Sequence, residues 1–191
     1  MLTQALQFLL ETVLGLFVLA ALLRFYLQLM RAPFRNPVSQ FIAALTDFAV
    51  KPLRRVIPGL LGMDLASLLL AWLVEFILLL ALFWLAGIFL LKSGPSIYLA
   101  IAFLAAVKLL KLSIYIVLGA VFIQAMLSWV NPHTPLTPVL NSLANPFLKP
   151  VRRFVPLLAN VDLSPLVILL LGELLLMVPV AWLESLAMQL A

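Results

Sequence analysis

Lys51-Pro52-Leu53-Arg54-Arg55, followed by Pro58 and Asp64, returns as Lys149-Pro150-Val151-Arg152-Arg153, followed by Pro156 and Asp162, each residue 98 positions on. Apolar runs resemble one another by composition alone. A Lys-Pro-x-Arg-Arg-x-x-Pro pattern with an aspartate six residues past its last proline does not recur for that reason. The register extends in both directions, with Pro37 aligning to Pro135 upstream and Glu75, Trp84 and Leu85 aligning to Glu173, Trp182 and Leu183 downstream. From Pro37 to Glu75, 13 of 39 aligned positions are identical without a gap, and only five of these are leucines. The chain therefore reads as a duplication, with one copy in 1–96 and the other in 97–191.

The residues between the repeated motifs decide the fold class. At 66% hydrophobic and 10% charged, the chain departs from soluble usage, where apolar residues make up about half and charged residues about a quarter. This predicts an all-α membrane protein. A span needs about 20 mostly apolar residues, and Ala5 to Met30, Leu65 to Leu91 and Leu163 to Leu183 meet that need. Ile97 to Val130 is too long for one perpendicular crossing and carries Lys108 and Lys111. The span is therefore placed near Leu112 to Val130, with 97–111 an interfacial or protruding helix continuous with it and both lysines reaching toward headgroups. A re-entrant hairpin is the alternative. No Lys or Arg precedes Arg24, so the first segment reads as a retained membrane helix rather than a cleaved signal.

Four crossings put the first and third connections on one side. Eight basic residues lie there (Arg31, Arg35, Lys51, Arg54, Arg55, Lys149, Arg152 and Arg153), against Lys92, Lys108 and Lys111 in the second connection. That imbalance predicts cytoplasmic basic connections and both termini outside. Two crossings per copy make the repeats parallel, unlike the inverted repeats of many transporters.

Each basic connection opens on a helix-start signal, Asn36-Pro37 or Thr134-Pro135. Phe41, Leu45 and Phe48 then recur at helical spacing in the first, and Leu136, Val139, Leu140 and Leu143 in the second. The expectation is a short amphipathic helix on the inner leaflet in each copy, limited by Pro52 and Pro146. An irregular loop is the alternative for the second copy, which also contains Pro138.

Candidate functional residues follow from these positions. Lys51, Arg54 and Arg55, with Lys149, Arg152 and Arg153, form twin basic clusters beside the membrane, suited to anionic lipid or a protein partner. Simple anchoring of topology would need the same charge sign without the repeated prolines. Asp64 and Asp162 immediately precede apolar runs and read as helix caps. Glu75 lies 11 residues beyond Asp64 and Glu173 occupies the same place in the second copy, which predicts two carboxyl groups near the midplane. Carboxyls there are rare, and serve as ion or proton carriers or as bonds between helices. Gln4, Gln7 and Glu11 make a polar stripe on the first span, and Gln124 and Ser128 a pair on the third. Trp84, Trp129 and Trp182 sit at span ends, as interfacial aromatics do.

The chain has no cysteine, which removes disulfides, thiolate metal sites, thiol nucleophiles and covalent haem attachment. His133 is the single histidine, in the loop Asn131-Pro132-His133-Thr134-Pro135, and reads as a surface residue. No phosphate loop, catalytic triad or metal-ligand cluster is visible, so neither an enzyme nor a cofactor is expected. The net charge of +5 sits beside apolar spans, which points to lipid headgroups and away from nucleic acid.

The second copy resembles the YggT (YlmG) family of small membrane proteins through Leu127-Ser128-Trp129, Asn145-Pro146-Phe147-Leu148, Lys149 to Arg153, Pro156 and Asp162-Leu163-Ser164-Pro165. The first copy departs, with Gln28-Leu29, Asp47-Phe48 and Ala66-Ser67 in the matching places, but it keeps the family's arginine as Arg24 where the second has Gln124. The resemblance implies a bacterial inner-membrane protein whose relatives are associated with osmotic tolerance, envelope and division organisation, or haem attachment in plastids. That spread implies a scaffold or assembly factor binding anionic lipid, a membrane or cytoplasmic protein, or a second copy of itself. An oligomeric ion- or proton-conducting protein using Glu75 and Glu173 is the rival expectation.

Overall fold

The computed structural model of the chain describes residues 1–33, 36–57, 59, 63–87, 94–131, 134–155 and 162–190. Every element in it is helical: α1 (Leu2–Leu29), α2 (Pro37–Val56), α3 (Leu65–Leu85), α4 (Ser96–Val130), α5 (Thr137–Arg152), α6 (Ser164–Leu175) and α7 (Ala181–Leu190). A π-helical turn, Leu176–Val180, joins α6 to α7. Among the described residues, α1, α3, α4 and the continuous segment Ser164–Leu190 are the four helices long and apolar enough to cross a membrane. Their outer surfaces present Phe8, Leu16, Ile77, Leu99, Phe122 and Leu170, as helices facing hydrocarbon do.

The span limits differ from expectation at three places. α3 stops at Leu85, short of Leu91, because Gly87 adopts φ 80°, the left-handed conformation that ends helices. The last span runs on to Leu190, and Ala187 on that extension packs against Ile97 and Ile101. The stretch 97–111 is one helix with the third span, so α4 has 35 residues, about 52 Å, and no re-entrant hairpin forms.

α4 is the central helix. It packs against α1, α3, α5, α6 and α7. Toward its start, Ile97, Ile101, Leu104 and Ala105 enclose Leu79 of α3. Further along, Leu109 and Ile116 join Val18, Ala21, Leu22 and Phe25 of α1 and Ala71 of α3. Near its end, Val121 meets Leu27, Ile42, Val139, Leu143 and Ile168, a cluster that draws side chains from both copies of the repeat. Gly172 of α6 lies so close to Leu118 that an added Cβ would stand 2.3 Å from its Cδ2.

Both connections form helices, but by different starts. Asn36 caps α2 as expected, its Oδ1 accepting a 2.9 Å hydrogen bond from the Val38 amide, with Pro37 first in the helix. Thr134-Pro135 does not start α5; the helix opens at Thr137 with Pro138 in its first turn. A proline there strands no intrahelical bond, which is why Pro138 fits a helix and not only a loop.

Pro52, Pro146 and Pro150 lie inside these helices and do not stop them. All three are exposed, and a proline in a helix leaves the carbonyl four residues back without its intrahelical bond. Pro179 lies in a span, and the chain there widens into the π turn, relieving the clash with the carbonyl four residues back. Its counterpart in the first copy is Ala81, and α3 runs through that position as regular helix.

The exposed faces of α2 and α5 differ. α2 buries Ser39, Ile42, Thr46 and Val50 and leaves Phe41, Leu45 and Phe48 exposed, with the Phe48 ring 5.5 Å from Phe17 of α1. α5 buries Val139, Leu140 and Leu143 within the protein and leaves Leu136 outside.

Candidate functional site

The polar side chains gather where α1, α2 and the start of α3 meet. Arg24 lies one turn from the end of α1, with only 6% of its side chain exposed. Its Nη1 donates to Thr46 Oγ1 at 2.8 Å and to the Ala43 carbonyl at 3.2 Å, and stands 2.8 Å from Asp47 Oδ1. On the far side of Asp47, Lys51 reaches Oδ2 at 2.7 Å from one helical turn away. Arg24 Nε is buried without a hydrogen-bond partner and lies 3.8 Å from Asp64 Oδ2.

Asp64 is 2% exposed and binds Arg54 through both oxygens, Nε to Oδ1 at 3.1 Å and Nη2 to Oδ2 at 2.5 Å. This fork geometry suits a planar guanidinium. Ser67 donates to the same carboxylate at 2.5 Å, and Arg54 Nη2 also donates to Gln28 Oε1 at 2.9 Å. The capping role expected of Asp64 is thus replaced, since its carboxylate makes no cap bond to α3 and tethers Arg54 instead. Two aspartates alternate with three cations, so each carboxylate is shared.

The titration of these groups follows from the contacts. The hydrogen bond from Lys51, with Arg24 adding its charge, holds the Asp47 carboxyl below the usual range against the opposing effect of burial. Burial pushes Asp64 up, but Arg54 and Ser67 outweigh it and bring the carboxyl down. The hydrogen bond that Arg54 donates to Asp64 in turn raises the guanidinium.

The second copy repeats half of this arrangement. Arg152 Nε donates to Asp162 Oδ2 at 2.7 Å, the counterpart of Arg54 and Asp64. Asp162 Oδ1 accepts from the Ser164 amide at 2.9 Å, so this aspartate does bond the start of its helix while holding an arginine. Burial raises Asp162, and the Ser164 and Arg152 bonds together bring it below the ordinary range. In place of Arg24 stands Gln124, whose Nε2 donates to Asn141 Oδ1 at 2.5 Å and to Asn145 Oδ1 at 3.4 Å. Asn141 and Asn145 are the repeat counterparts of Ala43 and Asp47. An arginine and an aspartate have thus become two amides, and the polar bridge from span to surface helix survives without charge.

The remaining basic residues face outward. Arg54, Arg152 and Lys51 serve the ion pairs just described, whereas Arg55, Lys149 and Arg153 are exposed on α2 and at the end of α5 with no ion pair among the described residues. The twin motifs therefore divide, with the first arginine bound to an aspartate while still 41% or 42% exposed, and the second without an ion pair among the described residues.

The two glutamates are not brought together. Glu75 is buried in α3 and pairs with Lys108 of α4 at 3.8 Å. Glu173 is exposed on α6 and follows Gly172, which abuts Leu118. Lys108 and Leu118 are ten residues apart on α4, roughly 15 Å of helix. Lys111 binds both oxygens of Glu184 at 2.9 Å. With Gln7 and Lys108, Glu184 also lines a cavity of about 510 Å³ between α1, α3, α4 and α7. Lys108 and Lys111 therefore pair with acids of neighbouring spans.

Among the described residues no group of His, Asp and Glu is placed to hold a metal ion. His133, Pro58, Pro156, Arg35 and Lys92 lie outside the described residues.

Fold and polar contacts together define a multi-pass helical membrane protein with its polar bridges concentrated where the surface helices meet the spans. The chain belongs to the CCB3/YggT family, which matches residues 3–85 and 103–183, one segment in each half. It is 40% identical over 176 residues to YggT of Escherichia coli K12, covering 87% of this chain and 84% of that protein. A Pseudomonas aeruginosa protein is 39% identical over 161 residues, with 83% and 80% covered. The Vibrio alginolyticus protein of the proC 3′ region is 33% identical over 170 residues, with 86% and 87% covered. No solved structure matches the chain.

Proposed function

We propose that the chain is a non-enzymatic scaffold of the bacterial inner membrane, with both termini outside and α2 and α5 on the cytoplasmic side. It docks anionic lipid through the basic residues that the ion pairs leave exposed, and presents the same face to a protein partner. The observation that carries this reading is the division within each motif: Arg54 and Arg152 are held by Asp64 and Asp162, whereas Arg55, Lys149 and Arg153 are exposed with no ion-pair partner among the described residues, and Lys51, though paired with Asp47, keeps 69% of its side chain exposed. Each exposed basic residue near an anionic leaflet contributes on the order of 1 kcal/mol. The exposed Phe41, Leu45 and Phe48 of α2 supply the apolar side of an interfacial helix beside those charges. Roles in osmotic tolerance or envelope organisation would follow from holding a partner at this surface.

The test replaces Lys51, Arg55, Lys149 and Arg153 together with Gln and measures phosphatidylglycerol retained by the purified full-length protein. Loss of retained lipid in a protein that still inserts supports the reading. Retention equal to the wild type removes it.

A further inference from the structure

The exchange of Arg24 for Gln124 leaves space as well as removing charge. A cavity of about 360 Å³ opens between α4, α5 and α6, and Gln124, Arg152 and Asp162 line it together. Its other walls are apolar except for Ser128, with Met126 and Trp129 from α4 and Leu166 and Leu169 from α6. Met126, Trp129 and Leu166 are exposed on the lipid-facing surface, so the cavity adjoins the hydrocarbon. Gln124 Oε1 is buried and accepts no hydrogen bond, although a buried carbonyl oxygen ordinarily has a donor. In the first copy the corresponding ground is occupied by the Arg24 guanidinium, a cationic donor supplied by the chain itself.

From this we infer that the cavity of the second copy binds the head group of phosphatidylethanolamine. What the cavity offers is the partly exposed Asp162 carboxylate for a cation, the partly exposed Arg152 guanidinium paired with it for an anion, and apolar walls for an acyl chain. A primary ammonium joined to a phosphodiester, carrying acyl chains, matches all three. The ammonium takes the place that the guanidinium of Arg24 holds in the first copy. Its N–H donors distinguish it from phosphatidylcholine, whose quaternary nitrogen carries none. Its positive charge distinguishes it from phosphatidylglycerol, which offers Asp162 no cation. The site is separate from the exposed basic residues of the docking surface and stands or falls without them.

The repeat provides a variant designed to fold. Gln124→Arg with Asn145→Asp rebuilds in the second copy the pair that the first copy already contains, and would fill the cavity from within. The measurement is native mass spectrometry of the purified full-length protein incubated with each of the three phospholipids. The expected result is retention of phosphatidylethanolamine about ten-fold above phosphatidylcholine, the order that one charge-assisted hydrogen bond supplies. That preference should vanish in the double variant, while retention of phosphatidylglycerol stays as in the wild type. Equal retention of phosphatidylethanolamine and phosphatidylcholine by the wild type would overturn the inference. So would a preference that persists unchanged in a double variant that folds and inserts normally.

Discussion

Arg24 joins α1 to α2 by placing its Nη1 2.8 Å from Asp47 Oδ1, in a position almost closed to solvent. The matching place in the other copy holds Gln124 and Asn145, two neutral amides making the same bridge. The two ends differ together between the copies, charged at both in the first and neutral at both in the second, so neither copy holds one charge of the bridge without the other.

This sets the sign of a mutation series. Arg24→Gln leaves Asp47 to Lys51 and Asp64 to Arg54 alone and should lower stability in detergent by about 1.5–3 kcal/mol, the usual effect of losing a hydrogen bond to a charged group. Arg24→Gln with Asp47→Asn copies the second repeat and should recover much of that loss. Thermal unfolding of the four combinations gives the coupling between the two positions directly. A double variant no more stable than Arg24→Gln would contradict the pairing.

Acid sensitivity follows from the same contacts. Asp47, Asp64 and Asp162 have carboxyls held below the ordinary range in the folded protein. Their contribution to stability is therefore present above the unfolded aspartate value of about 3.9 and is lost as pH falls through the lowered folded values. Melting temperature should stay level with respect to these groups from pH 7 to about 5 and fall below about 4. Asp64→Asn should be less stable at neutral pH and show a shallower acid decline; an unchanged acid profile would show that Asp64 is not one of the groups responsible.

The contact of Gly172 with Leu118 predicts a size-swap pair. Gly172→Leu forces side-chain atoms into space already filled by Leu118 and should lower stability by about 1–3 kcal/mol or more. Adding Leu118→Ala should restore part of it. Equal stability of Gly172→Leu and the wild type would mean that α6 does not approach α4 so closely.

Much of this architecture was legible in the residues. The duplicated motif and the apolar runs foretold four spanning helices, and Asn36-Pro37 marked the start of α2. The limits of the elements were less legible, because proline and glycine act through context. Pro52, Pro146 and Pro150 fall on exposed faces and leave their helices intact, whereas Gly87 takes a left-handed turn and stops α3. The inner polar network was not read, since its contacts link residues far apart in the chain, such as Arg24 with Thr46 and Arg54 with Gln28. Periodicity along one helix carries no trace of such pairs. One signal was present nonetheless: an arginine followed ten residues later by an aspartate, Arg54 with Asp64 and Arg152 with Asp162, occurs in both copies. Opposite charges repeated at a fixed separation mark a contact more specifically than either a basic cluster or a cap.

The division of labour within each motif is the claim on which the functional reading depends, and one comparison tests it. Arg54→Gln with Arg152→Gln would be set beside the variant carrying Gln at Lys51, Arg55, Lys149 and Arg153, with melting temperature and retained phosphatidylglycerol measured on both. The aspartate-bound arginines should lower the melting temperature when replaced. The other set, whose single ion pair is the exposed Lys51–Asp47 contact, should change it by less and lose the lipid. An aspartate-bound variant as stable as the wild type, or a variant of the other set that keeps wild-type lipid, would contradict the account.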